Sequence, residues 1–306
     1  IADTVEDASH IPATEQAELL RTYDAVLDPE EETPPETFAN DVEPYLPDDA
    51  ELTDDWAVVR DSPRVLRTFQ SLPEDVQNAV VPPARELVQG MADFVERYED
   101  HGGLRIQTRS ELEEYCYYAA GTVGNLITNL VTRHDVAADR RRRLYDTAEE
   151  FGLLLQLVNI SKDVYDDYTA EDNVYLPAEW LREVGVPQEE VIDDSHEASA
   201  ASVVRRTAEF AGSFIDDAQT YLETVPLRDG NTLEAWAIPF LLAVGTLREL
   251  LARPEDALSS KGVKISRQEV LAVVTEMSNG GSRDALDELV RDIAAGPYHA
   301  SPSNAD

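Results

Sequence analysis

The chain has 306 residues, 42% of them apolar, and a formal net charge of −37. That length and apolar share exclude a disordered polymer and allow a sizeable core, while the charge leaves no broad basic face and excludes a nucleic-acid partner. Lysine occurs only at Lys162, Lys261 and Lys264, and so acid-coated and lysine-poor a surface points to a cytoplasm of very high salt, where screening removes the self-repulsion.

In chain order, the sequence opens on IADTVEDASH without a methionine, in what reads as the middle of a helix, so a preceding segment is expected. Helical periodicity recurs at 12–27, 57–71, 74–99, 110–134, 138–168, 177–184, 198–224, 230–252 and 267–294. Residues 28–55 read as an acidic, Pro-rich connection, expected to be a surface loop. Breakers sit at HGG (101–103), TAEDN (169–173) and PLRDG (226–230), and residues 296–306 form a polar tail. RRRR (140–143) reads as a solvated helix start, with membrane-surface contact as the alternative. The longest apolar run, residues 235–247, contains a proline and is too short to cross a bilayer, so it reads as a buried helix. Cys116 stands alone, which rules out an intramolecular disulfide and suits a reducing cytoplasm. No signal peptide is visible. The pattern predicts one all-α domain over 1–306.

Two stretches are polar where a surface helix would be apolar. In FGLLLQLVNISKDVYDDY (151–168), Gln156, Asn159, Asp163 and Asp167 fall within about 80° of one another at roughly 100° per residue. Leucine, valine and isoleucine cover most of the remaining circumference, the pattern of a buried helix lining a polar cavity. In EYCYYAAGTVGNLITNL (114–130), Tyr115, Tyr118, Thr122, Asn125 and Asn129 make a second such stripe. Gly121 and Gly124 each cost about 1 kcal/mol of helix propensity against Ala, so close approach of a neighbouring helix or a ligand is expected there.

A DxxxD pair in a chain with 62 acidic residues is ordinarily solvated surface, and composition leaves that reading open for Asp3 and Asp7. The apolar surroundings of Asp163 and Asp167 argue against it, because unpaired carboxylates are rarely buried without a cation. Tyr115 and Tyr118, judged alone, are ordinary core aromatics. Two such acid pairs facing one cavity would offer four hard oxygen ligands to Mg²⁺, which prefers carboxylates and completes its shell with water and phosphate. A chain at −37 then binds an anionic diphosphate through the metal. Beyond the metal the cavity is expected to be apolar, with the 235–247 helix as one wall.

DTVED (3–7), YCYYAAGTVG (115–124), LLLQLVNISKDVYDD (153–167), VYLPAEW (174–180), WAIPFLLAVGTL (236–247) and GVKIS (262–266), in this order, resemble the squalene/phytoene synthase family over essentially the whole chain. The resemblance is greatest to squalene synthases of salt-adapted, haloarchaeal type. It implies the isoprenoid synthase fold around a central cavity, and Mg²⁺-dependent head-to-head joining of two prenyl diphosphates through a cyclopropylcarbinyl diphosphate. It assigns Asp3 and Asp7 to Mg²⁺ at one diphosphate, and Asp163 and Asp167 to Mg²⁺ at the other. Gln156, Asn159, Lys162, Glu6 and Tyr118 join the substrate-binding set, and Tyr115 matches the tyrosine that assists proton removal as the cyclopropane closes. Lys162 stands where the family usually has Arg. WAIP and GVKIS favour squalene synthases, in which late basic residues bind NADPH, here Lys264 and Arg267.

That reading predicts farnesyl diphosphate as substrate, a monomer, and a cytoplasmic enzyme that touches the membrane surface to release its product. The alternatives are a phytoene synthase using geranylgeranyl diphosphate without NADPH, a dehydrosqualene synthase, or a non-catalytic binding relative. Two departures stand out. The family's Arg before the first motif and its Ser-Arg-x-Phe helix would both precede Ile1, and Asn173 replaces an expected Arg, weakening one phosphate contact.

Overall fold

In the computed structural model, which describes residues 1–48, 52–227, 232–279 and 282–299, the chain is built from helices. The first half holds α1 (Ala2–Glu6), α2 (Ala13–Leu27), α3 (Pro35–Val42), α4 (Asp54–Arg60), α5 (Ser62–Gln70), α6 (Glu74–Arg97), α7 (Arg109–Cys116) and α8 (Thr122–Thr132). There follow α9 (Ala138–Tyr145), α10 (Ala148–Lys162), α11 (Val164–Glu171), α12 (Ala178–Glu183), α13 (Glu197–Gly212), α14 (Ile215–Thr224), α15 (Leu233–Ala252), α16 (Arg267–Ser278) and α17 (Arg283–Ala295). Among the described residues extended pairing is confined to one bridge, Arg105 with Val174. The all-α expectation holds. The rest of the 226–230 breaker beyond Leu227, and the tail beyond His299, lie outside the described residues.

Several expected boundaries shift. The 28–55 segment is not simply a loop: Pro35 starts α3, whose Phe38 and Val42 are fully buried. A proline is tolerated in a first helical turn because that N–H has no intrahelical partner. The expected 138–168 helix is three helices, the 57–71 and 198–224 helices are each two, and the 267–294 helix is α16 and α17. Between α7 and α8 the backbone makes a π-helical turn over Tyr117–Gly121, which breaks the uniform rotation assumed for the Tyr115–Asn129 stripe.

Buried residues form two clusters. One gathers α7 and α10 to α17 around Leu154, Leu157, Tyr221 and Phe240. The other packs α1 to α6 around Leu20, Phe38, Val42 and Met91. Helix α6 serves both, giving Phe94 and Tyr98 to the first and Val88, Met91 and Val95 to the second. Pro83 within α6 cannot donate to the Ala79 carbonyl, and Asn129 Nδ2 on α8 donates to it instead, at 3.0 Å. Asn129 therefore repairs a helix and does not line a cavity. Asn125 Nδ2 is likewise satisfied, donating to Glu149 Oε1 at 3.1 Å.

Helix α15 runs longer than its apolar core. By length and hydropathy (1.4 on average) it is a candidate span, which amends the expectation that no segment is long enough. It packs against α10, α13, α14, α16 and α17, with Ala237, Phe240 and Leu250 fully buried, as a core helix does. Of the arginine run, Arg140 caps α14 by donating to the carbonyls of Thr224 (2.6 Å) and Val225 (3.1 Å), while Arg142 and Arg143 are exposed.

The expected close approach at the glycines is that of a helix. A Cβ on Gly124 would collide with the Ala148 carbonyl oxygen, and one on Gly152 with the Ala120 carbonyl oxygen, so α8 and its π turn lie directly on α10. Gly124→Ala should lower the melting temperature even though Ala favours helix by about 1 kcal/mol. Thermal unfolding checks this, and a higher melting temperature would contradict the packing.

Candidate active site

Helix α1 is one turn long and is held from outside. Ala2 and Val5 are buried in the second cluster, and the buried Gln16 Nε2 lies 3.0, 2.8 and 3.1 Å from the carbonyl oxygens of Val5, Glu6 and Ala8. This anchoring places Asp3, Glu6 and Asp7 so that a carboxylate oxygen of each lies within 4.8 Å of the others.

The second acid pair sits at a helix break. Helix α10 ends at Lys162, Asp163 leaves helical geometry (φ −102°, ψ 12°), and α11 begins at Val164. The predicted continuous stripe through Asp163 and Asp167 is thus two helices meeting at an aspartate. The end of α11 is fixed by Asp172, whose left-handed backbone (φ 58°) lies against Gly102 and Gly103, where a Cβ on Gly103 would strike the Asp172 carbonyl. The buried Arg105 guanidinium binds the Asp172 carboxylate (2.6 Å) and its carbonyl. Backbone pairing, Val174 N–H to Leu104 O (2.8 Å) and Ile106 N–H to Val174 O (3.1 Å), continues the clamp.

The two motifs share one electrostatic environment. Burial pushes Asp7 up to about 8, with Glu171 and then Asp3 adding repulsion. Asp167 is also pushed up to about 8, by burial first, then by Glu171, Asp163 and Asp7, with Lys162 opposing. Burial, reinforced by Asp7, Asp3 and Glu171, raises Glu6 well above the usual carboxylate range. Lys162 ion-pairs with Asp163. Glu6 Oε2 is buried with no hydrogen-bond partner. A set of hard oxygens this crowded, with one orphaned, fits a divalent cation. Asp3, Asp7, Asp163 and Asp167 would hold it, with Glu6 and Glu171 beside them.

Tyr115, only 4% exposed, carries its hydroxyl into this cluster, 3.4 Å from Glu6 Oε1 and 3.1 Å from the Tyr175 hydroxyl. Burial raises its pKa well above that of a free phenol, so it stays protonated. Asn173 does not take the expected Arg's place toward a phosphate. Its Oδ1 accepts from Leu104 N–H at 2.7 Å, and its Nδ2 lies 3.2 Å from both Glu171 Oε2 and the Tyr175 hydroxyl.

Other expected residues are distributed unevenly. Gln156 is half-buried and Asn159 exposed on α10, and among the described residues neither side chain has a polar partner. Tyr118 packs on Phe94 and Tyr117, across a face of α6 that admits only Gly90. Lys264 and Arg267 are exposed, and no hydrogen bond or ion pair joins them to the carboxylates; α16 packs on α15. An apolar cavity of about 280 Å³ is lined by Ala2, beside Asp3, and by Tyr23, Leu66, Val88, Val123 and Leu126 among others, from α2, α5, α6 and α8; α15, the expected wall, contributes none of its lining.

Sequence reasoning passed over Glu171 and Tyr175 as functional groups, and noted Asn173 only as a replacement for an expected Arg. Glu171 was within reach, since it continues the Asp163–Asp167 spacing by another four residues. Tyr175 stood inside the VYLPAEW motif without a role of its own.

The family model for squalene/phytoene synthase matches residues 1–269. A 15-cis-phytoene synthase of Enterobacter agglomerans is 35% identical over 134 residues, 44% of this chain and 41% of that protein. A squalene synthase of Schizosaccharomyces pombe is 24% identical over 277 residues, 90% of this chain and 56% of that protein. The chain spans about half the length of the curated relatives it matches. The solved structure of TcSQS with the ligand E5700 shares the fold, with a TM-score of 0.69 at 23% identity, covering 96% of this chain and 86% of that one.

The carboxylates give a pH-dependent test that needs no turnover. Folded Asp7 and Asp167 keep their protons to about pH 8, against an ordinary value of 3.8. Their contribution to stability is therefore full below about pH 4 and is lost as pH rises through about 8. In EDTA the melting temperature should fall between pH 5 and pH 8.5, and Mg²⁺ should raise it far more at pH 8.5 than at pH 5. Asp167→Asn should remove much of that difference.

Proposed function

Because the chain belongs to the squalene/phytoene synthase family, whose members are head-to-head prenyltransferases, we propose that it joins two farnesyl diphosphates to presqualene diphosphate and reduces that product to squalene with NADPH. The observation that carries this reading is that Asp3, Glu6 and Asp7 cluster together and Asp7 repels Asp167 of the second motif, with an apolar cavity lined by Ala2 next to Asp3. Two acid pairs suit two diphosphates, and an apolar cavity reaching Ala2 suits a prenyl tail. The squalene synthase relatives support the choice of product by matching along most of the chain, 90% for S. pombe and 83% for Candida albicans.

Bound Mg²⁺ would neutralise the diphosphates and stabilise each as a leaving group. Around it the chain's own residues divide the remaining work. Asp3, Asp7, Asp163 and Asp167 fix where the two diphosphates lie and so set the two prenyl groups head to head. Lys162 supplies a point charge for phosphate beside Asp163. Gln156 and Asn159, whose amides are unpartnered, are free to donate to diphosphate or ordered water. In the first half-reaction one diphosphate leaves, a carbon–carbon bond forms, and the second prenyl group loses a proton as the cyclopropane closes. Tyr115 holds its hydroxyl where that proton departs, beside Glu6. In the second half-reaction Lys264 and Arg267, both exposed, would hold the phosphates of NADPH, which would supply hydride as the remaining diphosphate leaves. The oily product then passes to a membrane surface.

The second reading, phytoene synthesis from geranylgeranyl diphosphate, draws on the higher identity of the phytoene synthases, 35% and 34%, over their shorter matches. Product analysis with each prenyl diphosphate, with and without NADPH, at high salt, separates the two. Squalene that depends on farnesyl diphosphate and NADPH is the expected result, and phytoene formed without NADPH would overturn it. Asp163→Asn should lower kcat by roughly a hundredfold or more, and full activity in that variant would point to a non-catalytic role for the motif.

A further inference from the structure

A line of side chains connects the two acid motifs behind the cation cluster. Tyr115 and Tyr175 stack with ring centroids 4.8 Å apart, and their hydroxyls lie 3.1 Å from each other. Tyr175 is 7% exposed, and the Asn173 carboxamide reaches its hydroxyl at 3.2 Å. Asn173 is itself immobilised, since Leu104 N–H donates to its Oδ1 and the adjoining backbone is paired with residues 104–106.

Each hydroxyl has one proton to give. The Tyr115 hydroxyl donates toward two oxygens, that of Tyr175 at 3.1 Å and Glu6 Oε1 at 3.4 Å. Tyr175 also accepts from Asn173 Nδ2 at 3.2 Å, and the same amide reaches Glu171 Oε2. The nearer acceptor, Tyr175, thus fixes the Tyr115 hydroxyl beside Glu6 and leaves a lone pair on the Tyr115 oxygen for substrate. Without the Tyr175 hydroxyl, Tyr115 would keep only the long 3.4 Å contact with Glu6, and its O–H could turn about the C–O bond.

The geometry points to Tyr175 as a positioning residue that acts through Tyr115, accepting from its hydroxyl and so holding that oxygen beside Glu6 during the proton-loss step, with Asn173 as the anchor. This rests on the function proposed above. Tyr175→Phe keeps the buried ring and removes only the hydroxyl, so the fold is preserved; the Mg²⁺-dependent rise in melting temperature should stay as in the wild type.

A double-mutant cycle tests the claim. Tyr175→Phe should lower kcat roughly tenfold, the scale of one lost hydrogen bond, with KM within about twofold. On the residual activity of Tyr115→Phe, the same change should cost less than about twofold. Unchanged kcat in Tyr175→Phe, or a full tenfold loss in the Tyr115→Phe background, would overturn the assignment. If the wild type converts neither prenyl diphosphate, the proposed function falls, and crystals of Tyr175→Phe decide the positioning claim. A Tyr115 hydroxyl displaced from Glu6 supports it, and one unmoved refutes it.

Discussion

Repulsion among carboxylates brought together from opposite halves of the chain is the constraint around which this molecule is built. Asp7 raises the cost of ionising Asp167, Glu171 adds to both, and Lys162 is the cation that opposes them at Asp167. An arrangement of this kind opposes folding unless rigid neighbours impose it or a cation joins it. The rigid neighbours can be named, and Glu6 Oε2, without a partner among the described residues, would suit a cation.

The rigid parts are indifferent to chemistry and decisive for it. Gln16 pins the carbonyls at the end of α1, and α6 binds the two core clusters into one frame. The glycine contacts seat α8 on α10, which sets where Tyr115 enters. On the far side, Arg105 and the pairing of residues 104–106 with Val174 hold the end of α11, and with it Glu171. Removing any of these supports would leave the acids intact and misplace them, which for an enzyme is nearly as damaging as their loss.

Much of this was legible in the residues. The apolar surroundings of Asp163 and Asp167 identified an inward-facing pair, and the glycines at 121 and 124 foretold a close helix contact. The break at Asp163 was not legible, because neither Asp163 nor its neighbours is a helix breaker; the interruption comes from tertiary packing. Helix α3 was hidden by its own prolines, which mark loops in general and helix starts in particular cases. Asn129 reads on a wheel as a cavity residue, and only the position of Pro83 on another helix shows that it repairs a carbonyl. The joint role of Tyr175 and Asn173 was hidden for a related reason: it depends on Tyr115 and Glu171 arriving at the same place, which no local pattern records.

The central claim is that the two acid motifs form one cation site and not two independent ones. Anomalous diffraction from crystals holding Mn²⁺ and inorganic pyrophosphate tests it most directly. The account predicts Mn²⁺ peaks between Asp3 or Asp7 on one side and Asp163 or Asp167 on the other, linked through the pyrophosphate. Peaks confined to one motif, or none within reach of both, would contradict it.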